Sequence, residues 1–80
     1  MKNFDNLFSS YSEIYNPNLR AGQTIMICIR HIDKEVYEKF VGSDYDCFFD
    51  DRVIPKTIIT LSEVWDEPIP HVPDNIFEHL

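Results

Sequence analysis

Ile25 to Ile29 is the longest uninterrupted apolar run in this 80-residue chain. Whatever fold forms has to be built around it. Ile25, Ile27 and Ile29 alternate with Thr24, Met26 and Cys28, and β-branched residues favour extended backbone. The alternation predicts a strand over Gln23–Arg30. Both of its faces are largely apolar, so the strand is expected at the centre of a sheet.

The segments around it are assigned by the same logic. Phe4, Leu7, Phe8, Tyr11, Ile14 and Tyr15 recur at spacings of three and four, with Asn3, Asn6, Ser9, Ser10, Ser12 and Glu13 between them. That is the stripe of an amphipathic helix, closed by Asn16-Pro17-Asn18. Its residues are mediocre helix formers, so it depends on docking. Asp33 is placed to cap a second, short helix running to about Val41. Val36, Tyr37, Phe40 and Val41 would point inward, and Gly42 would end it. Arg52–Pro55 and then the β-branched Thr57–Trp65 read as strand, with Pro55 marking a break or edge. Trp65 is expected in the core. Pro68, Pro70 and Pro73 impose an extended path, and Asp74–Leu80 has the pattern of a last helical turn.

The expected fold is therefore α+β: one small domain over residues 1–80, with an N-terminal helix, a short second helix and a sheet of about three strands. Residues 66–80 form its extended Pro-rich tail. Eighty residues support one core, which buries roughly 60% of the extended-chain surface and stabilises it by about 3–5 kcal/mol.

Charge narrows the function classes. The net charge is −7. Residues 1–40 balance five acids against five bases, whereas residues 41–80 hold nine acids against Arg52 and Lys56. A direct nucleic-acid binder or an anionic-membrane binder needs the opposite sign. The chain has no cationic start leading into a long apolar run, and Cys28 and Cys47 are too few for a disulfide framework. A reduced, cytoplasmic protein is expected.

Catalytic signatures are missing. Ser43 and Ser62 lack the glycine-flanked elbow of a nucleophile, and two glycines cannot form a phosphate-cradling loop. Cys28 and His31 have no third group to orient them. Asp44-x-Asp46-x-x-x-Asp50 matches three positions of a calcium loop. Phe49 stands where that loop needs glycine, and Pro55 where it needs glutamate. Cys28, His31, Cys47 and His71 lack the paired spacing of zinc ligands. Neither metal nor cofactor is expected, and the chain reads as non-enzymatic.

What remains is a surface. Ser43-Asp-Tyr-Asp-Cys-Phe-Phe-Asp-Asp51 sets four carboxylates among aromatics. In an extended strand Asp44, Asp46 and Asp50 would share an edge at about 7 Å intervals, comparable to the spacing of backbone phosphates. Asp44, Asp46, Asp50 and Asp51 would then be the central anions of a binding face, Glu63, Asp66 and Glu67 a second cluster, and Phe48 and Phe49 its apolar anchors. A plainer role for Asp50-Asp51 is a turn between core segments.

In size and charge, though not in motif, the chain is similar to nuclease-immunity proteins and DNA-mimicking inhibitors of phages and bacteria. That similarity implies a non-enzymatic acidic inhibitor or regulator whose partner is a basic nuclease, polymerase or other nucleic-acid-binding protein. The alternatives are a homo-oligomeric scaffold, such as a homodimer associating through aromatic surface, and a small metal-dependent enzyme.

Overall fold

The structure, a computed structural model, describes residues 2–71. Along the chain run α1 (Asn3–Ile14), α2 (Ala21–Ile32), α3 (Lys34–Phe40), one 3-10 turn (Asp51–Val53) and α4 (Ile54–Trp65). The described residues contain no strand, so the expected α+β fold with its three-stranded sheet is replaced by a helical one.

The central strand over Gln23–Arg30 is in fact α2. Ala21, Gly22, Thr24, Ile25, Met26, Cys28 and Ile29 are all buried, leaving only Arg30 and His31 fully outside. The less buried Gln23, Ile27, Arg30 and His31 fall at i, i+4, i+7 and i+8, one face of a helix, but the five-residue apolar run Ile25–Ile29 inside that pattern also satisfies a strand's alternation. The three alternating isoleucines are divided by the helix: Ile25 and Ile29 are buried, while Ile27 is only half-buried. α1, α3 and the 3-10 turn all pack on α2.

The second strand, Thr57–Trp65, is likewise a helix. Ile54, Thr57, Ile58 and Leu61 are buried at i, i+3, i+4 and i+7. Arg52–Pro55 is the 3-10 turn and the start of α4, and Pro55 occupies the first helical turn, where no N–H is needed. Hydroxyl residues, which the strand reading counted as β-formers, bond back onto helical carbonyls. Thr57 Oγ1 donates to Val53 O (3.1 Å), Thr60 Oγ1 to Lys56 O (2.8 Å) and Thr24 Oγ1 to Arg20 O (3.0 Å).

Two expectations match the helices in place. α1 buries Phe4, Leu7 and Tyr11, with Phe8, Ile14 and Tyr15 packed beside the core. Asp33 caps α3, accepting from Val36 N at 3.2 Å, and Gly42 follows the helix with φ of 79°. Asp33 also accepts from the Trp65 indole N–H at 3.1 Å, and Trp65 meets Phe4 edge-on at 5.2 Å. This one carboxylate joins the start of α3 to the end of α4. Val41, expected to point inward, is 51% exposed.

Beyond α4, Asp66 adopts a left-handed φ of 53°, and Glu67–His71 forms neither helix nor strand. The helical turn expected over residues 74–80 lies outside the described residues. Leu7, Tyr11, Ile25, Met26, Ile29, Phe40, Ile54 and Leu61 make up most of the core volume.

Candidate functional site

The acidic segment is a pinned loop between α3 and the 3-10 turn. Gly42 reverses the chain, and Asp46 closes the turn by accepting from Gly42 N (2.8 Å) and Phe48 N (2.9 Å). Tyr45 packs edge-on against Phe40 at 4.5 Å, and its carbonyl accepts from buried Thr57 at 2.7 Å. Cys47 is buried and its thiol donates to Gly22 O at 3.5 Å. The extended edge of evenly spaced carboxylates does not form, because these contacts curl the loop onto α2 and α4.

Most of the acids act within the fold. Asp50 caps the 3-10 turn, accepting from Arg52 N, and forms a two-point pair with the Arg52 guanidinium at 3.0 Å for both bonds. That partner holds the Asp50 carboxyl below its usual range. Asp51 accepts from Gly22 N at 2.9 Å, serving the N-terminus of α2. Glu67 reaches across to α1 and accepts from Asn3 N (2.9 Å) and Phe4 N (3.1 Å). Asp44, Glu63 and Asp66 are exposed, and their side chains make no hydrogen bond among the described residues. The two acidic clusters sit at opposite ends of α4, whose twelve residues span about 18 Å.

The aromatic pair divides its roles. Phe48 is half-buried against the core, while Phe49 is 78% exposed and stands edge-on to it at 4.9 Å. Together with Met26, Tyr37, Val41 and Asp46 they line a groove of about 210 Å³. Its volume is below the roughly 300–1,000 Å³ of small-molecule sites, so it suits a side chain rather than a cofactor. Met26, Tyr37 and Val41 were missed as site residues, since in the sequence they look like core of α2 and α3. A more polar depression of about 370 Å³ lies among Ile27, Arg30, His31 and Lys34, with the Arg30 guanidinium 5.9 Å above the Tyr37 ring.

Neither cysteine is prepared as a nucleophile. Burial pushes the Cys28 thiol up to about 12 and the Cys47 thiol to about 11, so both stay protonated at neutral pH. Among the described residues no three His, Cys, Asp or Glu side chains converge as metal ligands, and no helix is long and apolar enough to cross a membrane. No family model, curated protein or solved structure matches the chain.

Proposed function

We propose that the protein is a non-enzymatic acidic regulator that binds the basic surface of a nucleic-acid-handling protein. The observation that carries this reading is Phe49. A large aromatic, 78% exposed, stands beside an apolar groove on a loop whose next neighbours are acidic. Interfaces take their energy from such anchors, and surrounding charge steers the encounter and selects the partner's sign. The net charge of −7 selects a cationic one. A continuous row of phosphate-like charges is no part of this reading, because the carboxylates fall at two ends of α4. Self-association through Phe49 is the second reading, favoured by the same exposure.

Asp46, Asp50, Asp51 and Glu67 hold backbone or Arg52, so removing them would probe folding rather than binding. The informative variant is Asp44→Asn/Glu63→Gln/Asp66→Asn. Immobilised wild-type protein, the triple variant and Phe49→Ser are each presented with proteins eluted from DNA-cellulose. Wild type is expected to retain basic proteins at about 50 mM salt, to lose them near 300 mM, and to lose them to competing duplex DNA. Each variant should retain several-fold less. Equal retention by all three proteins, or none by wild type, overturns the proposal.

A further inference from the structure

The groove itself suggests how a partner would be engaged, given the binding reading above. Its floor and walls are Met26, Tyr37, Val41, Phe48 and Phe49, and the only ionised group lining it is Asp46. Both oxygens of Asp46 accept backbone N–H groups, which holds the half-exposed carboxylate in place, and a carboxylate has acceptor capacity beyond these two bonds. Asp44, two residues before it, is exposed, and no described basic side chain pairs with either of them. Of the nearby cations, Arg52 pairs with Asp50, whereas Arg20 donates to the Phe48 carbonyl (3.3 Å) and Arg30 stands above Tyr37, so neither of these two forms an ion pair with Asp44 or Asp46.

A second copy of the chain fits this groove poorly. In a two-fold contact each surface meets itself, so Asp44 and Asp46 would approach their own counterparts while two molecules of charge −7 come together. A cationic partner reverses the sign of that interaction. We propose that the groove receives one large apolar side chain from a partner segment whose flanking Lys or Arg residues meet Asp44 and Asp46. Phe49 closes over the inserted side chain, and its burial supplies the affinity that exposed charge pairs alone lack. The partner is thus recognised by an apolar residue within a basic segment, not by charge density alone.

The probes are two fluorescein-labelled heptapeptides, Lys-Lys-Gly-Phe-Gly-Lys-Lys and its Ser-centred counterpart, titrated by anisotropy at low salt. The Phe peptide should bind about tenfold more tightly than the Ser peptide. In two-dimensional NMR it should shift the Val41 and Met26 methyl signals. Phe49→Ser and Val41→Ser, both at exposed positions, should keep the wild-type circular dichroism and abolish the preference. Equal binding of the two peptides overturns the groove while leaving a basic partner in place. Absence of binding by either peptide removes both readings. A dimer in sedimentation that Phe49→Ser dissolves makes a second copy the occupant and also overturns the proposal.

Discussion

Gly22 is the residue that the packing tolerates least. It lies in the first turn of α2, and a Cβ there would collide with the Cys47 carbonyl oxygen and come within 2.9 Å of Asp51 Oδ1. Its own N–H and C=O serve Asp51 and the Cys47 thiol. The loop that carries Phe48 and Phe49 is therefore seated directly on the backbone of α2. Gly22→Ala should gain about 1 kcal/mol in helix propensity and lose more to the collision, with a net cost of about 2–3 kcal/mol. Urea midpoints measure it; a midpoint equal to or above wild type would show that the loop yields freely. Nothing local in the sequence marks Gly22, because the backbone it must admit comes from a residue 25 positions away. Phe49 is similar. Its composition could suit core or surface, and only the curl of the loop turns Phe48 inward and Phe49 out.

α1, α2, α3 and the 3-10 turn all start on carboxylates, and these divide by distance along the chain. Asp33 caps α3 from the adjacent position and Asp50 caps the 3-10 turn the same way. Caps of that kind are legible, since the acceptor immediately precedes the element it serves. Asp51 serves α2 across 29 positions and Glu67 serves α1 across 64. No sequence pattern announces either: the sequence offers both as binding-face anions, and Asp51 also as part of a turn, but neither as a helix cap. Glu67→Ala should cost about 1–2 kcal/mol and should first loosen the start of α1. Hydrogen exchange at the Asn3 and Phe4 amides should quicken relative to the amides of α2. Unchanged exchange there would mean that solvent serves α1 equally well. The two misread strands have a different cause. In α2 the alternating isoleucines masked a helical face of Gln23, Ile27, Arg30 and His31, and in α4 intrinsic β-preference is overridden by burial at i, i+3, i+4 and i+7.

The molecule as a whole should be sensitive to alkali. Burial raises Cys28 from 9.0 to about 12, Cys47 from 9.0 to about 11 and Tyr11 from 10.0 to about 12. Above pH 9 the unfolded chain releases these protons while the folded chain still holds them. The native state then binds more protons, and stability falls as pH rises. Urea midpoints should be flat with respect to these groups below about pH 8, then decline from about pH 9 toward 12. Thiol reagents at pH 8 should label neither cysteine until the protein is unfolded. A midpoint unchanged to pH 11, or rapid labelling of the native protein, would contradict the packing around α2.

The sequence by itself determined what has to be buried and where the charge surplus lies. The stripe of α1, the Asp33 cap, the Gly42 stop and the acidic second half all follow from local chemistry: spacing, side-chain acceptors, backbone freedom and a count of ions. Tertiary structure alone decided that Gln23–Arg30 and Thr57–Trp65 coil rather than extend. The five apolar residues Ile25–Ile29 satisfy either period and the β-branched residues of Thr57–Trp65 favour a strand, so in both segments the choice rests on what packs against them. Tertiary structure also decided which acids are available to a partner. A carboxylate's charge is written in the sequence, but the N–H groups it faces are not. Folding commits Asp46, Asp50, Asp51 and Glu67 to the fold and leaves Asp44, Glu63 and Asp66 in water, with Phe49 standing over the groove.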